Sequence, residues 1–448
     1  MANEPEKRIE PAILEGFLEL LPAQQMLFDK MRRTIEETYE LFGFIPLDTA
    51  LIEKAEVLLA KSGGETGKQI FYLQKPDQAL RFDLTVSLAR YVAQRYRELQ
   101  FPFRRYQIGK VYRGERPQKG RYREFYQCDI DVIGDGRLGL ANDAEMPCVI
   151  YSVFQKLGLG AFTIRINNRK ILAGFFGSLK ISGEQQKEVL RAIDKLEKIG
   201  PDATKVELAK LGMADDTILK IFGFLGISGN NPEILDQLAK LGAANDVFAA
   251  GVDELKEVLK AIGRFGVPEK NIAVDLKIAR GLDYYTGTVY ETTLDDYPEV
   301  GSVCSGGRYD NLAECYTDKN LPGVGISIGL TRLFSKLLEK QVIKPANSTP
   351  ALALVIPLDN QLDRAIEVAA AFRQNGISAQ VYLEETKPGK IFKYADRLKV
   401  PYAVVIGSNE MAENKVSLKD MASGEQMLTT VEGAIQEIHH KGVIKHGG

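Results

Sequence analysis

Two runs, RRYQIGKVYRGE (104–115) and REFYQCDIDVIG (123–134), limit the fold of this chain more than any other feature. Each is rich in aromatic and β-branched residues interrupted by polar ones, which is the pattern of a strand. The seven residues between them, RPQKGRY, hold Pro117 and Gly120, which are turn formers. The spacing predicts a long antiparallel hairpin with a basic loop, and so a sheet built largely from antiparallel strands.

Period-two alternation sorts the side chains. Tyr126, Cys128, Ile130 and Val132 form an apolar face of the second strand, while Phe125, Gln127, Asp129 and Asp131 share the other. On the first strand Val111, Arg113 and Glu115 share one face. Polar groups at positions a sheet would bury, all aimed one way, suggest a binding site. The tip is basic: RGERPQKGRYREF (113–125) holds four arginines and one lysine against two glutamates. The whole chain, with 58 basic and 60 acidic residues, has a formal net charge of -2, so this charge is local. Arginine is suited to bidentate phosphate contact. A polyphosphate or a nucleic-acid end fits such a loop; a solvated basic edge strand fits it as well.

Three further stretches stand out. RGLDYYTGTVYE (280–291) holds Arg280, Asp283 and the pair Tyr284–Tyr285 before a run of β-formers. Adjacent tyrosines on a strand point to opposite faces, so one of the two is expected to line a pocket. SGGRYDNL (305–312) sets two glycines beside Arg308 and Asp310, and GVGISIGLTRL (323–333) leads three glycines into a helix that opens near Arg332. Glycine allows close backbone approach to a ligand, and a helix start favours an anion. No GxxxxGK[ST] and no strand-placed GxGxxG occurs, so a P-loop or Rossmann nucleotide site is not supported.

All three histidines, His439, His440 and His446, lie in the last ten residues, a region expected to be a frayed polar tail. The body of the chain therefore has no His base, no Ser-His-Asp triad and no His metal ligand. Four cysteines, Cys128, Cys148, Cys304 and Cys315, are widely spaced without a CxxC, which predicts neither zinc site nor disulfide framework. With no signal peptide and no long apolar span visible, a cytoplasmic home without membrane attachment is expected.

The 448 residues suffice for about three units. KPANSTP (344–350) reads as a linker. After it, ALALVIPL, SAQVYL and YAVVIG read as buried strands alternating with helical stretches 361–376 and 387–400, the pattern of an α/β domain over 351–448. Before it, helical patterns dominate 175–270. SGEQQKEVLRAIDKLEKIGP opens that block with a Ser182–Gln185 capping box and stops at Gly200–Pro201. β-rich, glycine-containing regions flank the block, so it is expected to be an insertion into one larger domain, 1–343. Positions 26–42 read as an amphipathic helix that runs into an extended piece broken by Pro46.

Together these pieces resemble the histidyl-tRNA synthetase family of class II aminoacyl-tRNA synthetases. RGERPQKGRYREFYQ resembles its motif 2, ARGLDYYTGTVYE its histidine-specific signature, and GVGISIGLTRL its motif 3. GFIPLDTALIE resembles the weaker motif 1 of the dimer interface, FDLTVSLARY (82–91) the amino-acid-binding segment, and the C-terminal domain, with KYADRLKVPYAVVIG, the anticodon-binding domain. The fold so implied is an α+β catalytic domain on a mixed, mainly antiparallel sheet with a helical insertion, followed by an α/β anticodon-binding domain.

The resemblance implies activation of histidine by ATP to histidyl-adenylate and transfer to the 3′ end of histidine tRNA. The substrate carboxylate is then the nucleophile, which matches a catalytic region without histidine. By resemblance Arg113 and Arg280 are catalytic and hold the α-phosphate. Glu115 faces the adenine amino group, Arg332 holds the γ-phosphate, Arg121 joins the ATP set, and Mg²⁺ accompanies the pyrophosphate. Asp83, Thr85 and Gln127 match positions holding the α-amino group, with Leu84 between two of them. Asp131 and Tyr285, with its neighbour Tyr284, match positions at the imidazole. Arg113 and Arg280 complete the histidine set. Arg116, Gln118 and Arg123 would meet the acceptor end of the tRNA. Lys390, Lys393 and Arg397, at near-helical spacing, would face the anticodon stem-loop or form an ordinary solvated helix face. A homodimer is expected from motif 1. Two departures stand: Thr331 replaces a common Glu before the motif-3 arginine, and Asp83 stands where Glu is frequent. Two rival readings are a histidine-sensing regulatory relative and a class II synthetase for another amino acid. The retained arginines, the C-terminal domain and RGLDYYTG argue against them.

Overall fold

The computed structural model describes residues 10–60, 67, 69–75, 77–116, 120–241, 245–278, 284–346 and 348–446. The hairpin forms as its alternation predicts. Strands β4 (Phe103–Tyr112) and β5 (Glu124–Ile133) pair antiparallel along their whole length. Around them assemble β1 (Ile45–Pro46), β6 (Phe162–Asn168), β7 (Ile272–Val274), β8 (Thr288–Leu294), β9 (Cys304–Tyr309) and β10 (Gly323–Gly329), in the order β1-β4-β5-β10-β9-β8-β6-β7. Only the two edge pairings, β1 with β4 and β6 with β7, are parallel; β2 (Ile52–Lys54) and β3 (Gln78–Leu80) form a separate antiparallel pair. β5 and β10 are central, and both are buried over most of their length.

On one face of β5 the apolar set Cys128, Ile130 and Val132 is fully buried. Tyr39, near the end of the helix Pro22–Leu41, lies against this face, and its buried hydroxyl donates to the Cys128 carbonyl at 2.9 Å. The buried hydroxyl is thus satisfied. The opposite face of β5 carries the polar set.

The helical block falls between β6 and β7. Helices Arg169–Ser178, Gly183–Asp194, Leu196–Lys210, Asp215–Leu225, Asn231–Lys240 and Asp246–Arg264 leave from the end of β6, and the chain returns to pair with β6 again. An excursion that begins and ends on one strand leaves the sheet order intact. Ser182 caps Gly183–Asp194, the second of these helices, by accepting from the Gln185 amide, while the Gln185 side chain donates to the Leu211 carbonyl instead of closing the box. Gly200, at φ 82, breaks the third helix where the Gly-Pro pair predicts a stop.

Two compact units divide the chain, Met1–Leu18 with Met31–Val342 and Glu19–Lys30 with Ile343–Gly448. The second holds β11 (Ala353–Pro357), β12 (Ala379–Val381), β13 (Tyr402–Ile406), β14 (Val416–Asp420) and β15 (Gln426–Thr429), in the order β12-β11-β13-β14-β15. β11 alternates Ala353 and Val355 into one core with Phe372, and Leu354 and Ile356 into another with Ile391. The sheet is therefore covered on both faces. β14, β15 and the helix Val431–His446 lie beyond the three strands and two helices read from the sequence. His439 and His440 sit on an exposed face of that helix and not in a frayed tail. The helix forms because Val431, Ala434 and Ile438 bury at helical spacing. Among the described residues no helix is long and apolar enough to cross a membrane.

Candidate active site

The polar face of β5 opens into a cavity of ≈ 370 Å³. Gln127, Asp129 and Asp131 line its floor; β10 supplies Gly325, Ser327 and Gly329 beside them, and β9 supplies Tyr309. The register makes this possible. Gly325 pairs with Asp131, and a Cβ there would lie 2.2 Å from the Asp131 carboxylate. Gly307 likewise leaves room for the Tyr285 ring, which a Cβ would approach to 2.9 Å.

The floor is strongly charged and buried. Asp131 lies between Arg105 Nη2, 2.6 Å from Oδ2, and the Tyr309 hydroxyl, which donates to Oδ1 at 2.6 Å. Burial raises the Asp131 pKa, while Arg105 and Tyr309 oppose the rise. Burial also pushes Asp129 up to about 7, against the pull of Arg105. Asp83 sits in the turn before the helix Thr85–Arg95, where Oδ1 accepts from the Val86 amide at 3.1 Å. Burial lifts its carboxyl to about 6; that amide and Arg113 hold it down. Asp83 Oδ2, Asp129 Oδ1 and Gln127 Oε1 are buried with no hydrogen-bond partner. Three unused acceptors around one cavity call for a ligand rich in N–H donors.

The upper wall is cationic. Arg113 donates from Nε to the Phe82 carbonyl at 3.0 Å and lies 5.2 Å from the Phe125 ring centroid, so its guanidinium is aimed before any ligand arrives. Arg332, in the first turn of the helix Leu330–Glu339, donates to the Val300 carbonyl at 2.6 Å. Thr331 accepts from the Tyr126 amide at 2.8 Å, which ties that helix to the start of β5. This is the work done by the residue that departs from the motif. Glu115 and Arg121 pair at 3.3 Å across the loop.

Asp83, Thr85, Arg113, Glu115, Arg121, Gln127, Asp131, Tyr284, Tyr285 and Arg332 thus all line one cavity. Leu84 lies behind the wall, fully buried, with its carbonyl accepting from Arg105 at 3.3 Å. Arg116 is exposed outside the lining, and Arg123 is half-buried with Nε bonded to the Glu115 carbonyl. Arg280 and Gln118 lie outside the described residues. Lys390, Lys393 and Arg397 are exposed on one helix, Pro388–Leu398.

Two expectations change. Both Tyr284 and Tyr285 line the cavity, because residues 284–287 precede β8 and do not follow strand alternation. Arg308 turns away from it and pairs with the buried Asp143, donating from Nε at 3.0 Å. Sequence reasoning missed Arg105, Ser327 and Tyr309, and it placed Asp129 on the binding face without a role of its own. The signal for Arg105 is the hairpin register, which sets it opposite Asp131.

The family description "Histidyl-tRNA synthetase" matches residues 16–333, and "Anticodon binding domain" matches 352–441. The chain is 58% identical to the histidine–tRNA ligase of Clostridium tetani, covering 96% of this chain and 98% of that one. It is 47% identical to the histidine–tRNA ligase of Finegoldia magna, over 96% and 100%. The crystal structure of histidyl-tRNA synthetase from Nostoc sp. PCC 7120 superposes with a TM-score of 0.87 at 42% identity, over 97% and 100%. The mixed, mainly antiparallel sheet with this cavity, followed by an anticodon-binding domain, defines an aminoacyl-tRNA synthetase of class II type. Within that class, the chain belongs to the histidyl-tRNA synthetase family.

Proposed function

We propose that the cavity binds histidine on its carboxylate floor and ATP along its cationic wall, and that the residues named above divide the work. The reaction is that of the family: histidine and ATP give histidyl-adenylate and pyrophosphate, and histidine then passes to the 3′ end of histidine tRNA. One observation carries the assignment. Buried acceptors without partners lie below preset arginines in a single cavity.

The α-ammonium of histidine fits Asp83, Thr85 and Gln127, where the unpartnered Asp83 Oδ2 and Gln127 Oε1 accept its protons. The imidazole fits the deeper end, at Asp131, Tyr284 and Tyr285. A site whose polar groups stay unpaired with the wrong substrate rejects it strongly. Arg113 meets both the substrate carboxylate and the α-phosphate, so the attacking oxygen and the phosphorus are aligned by one group. As negative charge grows on phosphate, preset guanidinium groups stabilise it without reorganising. Arg332 serves the γ-phosphate, Glu115 the adenine amino group, and Arg121 steadies Glu115 and the phosphates. Arg280 keeps the α-phosphate role that its motif implies.

Among the described residues no cluster of three His, Cys, Asp or Glu side chains forms a metal site. Mg²⁺ fits as a companion of the ATP phosphates, with Glu291 the lining carboxylate that suits it, since Glu115 is paired with Arg121. Bound there it would neutralise charge on the leaving pyrophosphate. Arg116, Gln118 and Arg123 are assigned to the tRNA acceptor end, and Lys390, Lys393 and Arg397 to the anticodon stem-loop. We read 1–343 as the catalytic domain with 175–270 inserted, 344–350 as linker and 351–448 as the anticodon-binding domain. A homodimer through motif 1 is supported by the exposed apolar side chains Leu41, Ile45, Leu51 and Ile52. Four unpaired cysteines support a cytoplasmic place of work.

Amino-acid-dependent ATP–pyrophosphate exchange with each of the twenty amino acids, without tRNA, tests the reading. Exchange with histidine alone is expected. Histidine binding without exchange would turn the protein into a sensor that kept the fold.

A further inference from the structure

Given that reading of the cavity, we propose that Asp129 and the imidazole of bound histidine share a single proton, so that histidine binding is proton-linked through the cavity floor. Among the described residues, five formally charged side chains lie at or against the floor of the cavity: Asp83, Asp129, Asp131, Arg105 and Arg113. Arg105 is fully buried and held 2.6 Å from Asp131, so these two cancel. Arg113 is matched by the substrate carboxylate, and Asp83 by its ammonium. Arg280 is assigned to the α-phosphate, so among these five Asp129 is left without a counter-charge. Among the described residues it makes no ion pair, and its Oδ1 is buried without a hydrogen-bond partner.

A buried carboxylate in that position needs a proton or a cation. The groups that face it do not supply a full one. Arg105 on β4 favours its charged form, but Asp131 on the same strand as Asp129 and Asp83 in the turn oppose it. Ser327 on β10 gives only a hydroxyl hydrogen bond. Tyr285 before β8, Cys304 on β9 and Tyr39 on the helix Pro22–Leu41 are neutral neighbours, their own pKa values raised by burial first and by Asp129 among the charges. The balance brings the carboxyl to about 7, close to the ordinary imidazole value of about 6.5. When histidine binds, the pair retains one proton. With none, a bare carboxylate is sealed in; with two, an imidazolium is sealed in without its counter-ion. Binding above neutrality therefore takes a proton from water, and binding well below it releases one. The proton belongs to the pair.

The test is the dissociation constant of histidine by titration calorimetry from pH 5.5 to 8.5, on the full-length protein and on Asp129→Asn, Asp131→Asn and Asp83→Asn. The wild-type protein should bind best near pH 7 and lose roughly tenfold in affinity by pH 8.5 as the shared proton becomes scarce. Asp129→Asn should bind with no such alkaline loss, while Asp131→Asn, if it folds, should keep it. Deprotonation of the α-amino group acts on every protein alike, so the difference in slope reads Asp129. An Asp129→Asn protein that retains the alkaline loss, or a wild-type protein flat above pH 7, overturns proton sharing. If Asp83→Asn and Asp129→Asn both leave histidine affinity unchanged at every pH, the cavity is not the amino-acid site, and the broader reading falls instead.

Discussion

The eight-stranded and five-stranded sheets bury very different things. Beneath the first lie Asp83, Arg105, Asp129, Asp131, Asp143, Glu291 and Arg308, all less than a tenth exposed. In the second unit no charged side chain among the described residues is buried; Thr349 and Ser417 are its buried polar ones. Burying a charge costs several kcal/mol unless it is matched. Under the first sheet Arg105 matches Asp131 and Arg308 matches Asp143, while Asp83 and Asp129 keep buried oxygens without partners, open to the ligand of the proposed site. The second has an apolar interior, and its charges stand on the surface. One unit thus holds charge inside and the other only outside, and the two should fail in different ways.

The largest effect is expected in the apolar unit. Phe372 is fully buried between the helix Leu362–Gln374 and the sheet. Phe372→Ala should cost about 3–5 kcal/mol of stability in that unit, read by urea denaturation. Pyrophosphate exchange should survive conditions under which aminoacylation of tRNA is lost. Parallel loss of both activities would break the division between the units.

The mirror experiment removes charge from the other unit. Arg113→Ala should slow exchange by roughly 10²–10³-fold, about 2.7–4 kcal/mol, because the guanidinium is preset where charge develops. Its melting temperature should move by only a few degrees. A variant that melts far lower while keeping its exchange rate would make Arg113 a structural residue.

How far the contrast is legible in the sequence depends on where alternation holds. Along β5 it does, so alternation alone separates Gln127 and Asp131 from Cys128 and Ile130. It fails at 284–287, where the chain turns before entering β8 and both tyrosines face the cavity. Arg308 sits in a glycine-rich stretch that looks ligand-bound, yet its partner Asp143 is 165 residues away, and no local pattern reports that pairing. Arg105 is hidden differently. It lies in a basic run whose neighbour Arg104 pairs with Glu145, and only the register separates them. The helix holding His439 escapes a sequence reading because its weak periodicity resembles a polar tail.

A smaller effect tests the cost of the unmatched charges. Asp129 has a raised folded value of about 7, well above an unfolded carboxyl. A raised carboxyl binds protons more tightly when folded, so its contribution is present below pH 4 and is lost as pH rises to 7. Asp129→Asn cannot lose it. The variant should therefore gain stability relative to wild type from pH 4 to pH 8, by on the order of 1–3 kcal/mol without ligand. An advantage that is constant with pH would point to packing and not to charge.

The smallest effect belongs to the surface charges. Lys390, Lys393 and Arg397 are exposed on the helix Pro388–Leu398, at three- and four-residue spacing that gives one face. If that face meets the anticodon stem-loop, replacing all three with Ala should raise KM for tRNA about tenfold and leave exchange unchanged, since exchange needs no tRNA. Each phosphate contact contributes about 0.7–0.9 to the slope of log affinity against log salt, so the slope should fall by roughly 2. A solvated helix face predicts otherwise: KM and salt slope both stay put, because the charges then contact only water. The slope decides more sharply than KM, since a general loss of positive field weakens binding without removing particular counterion sites.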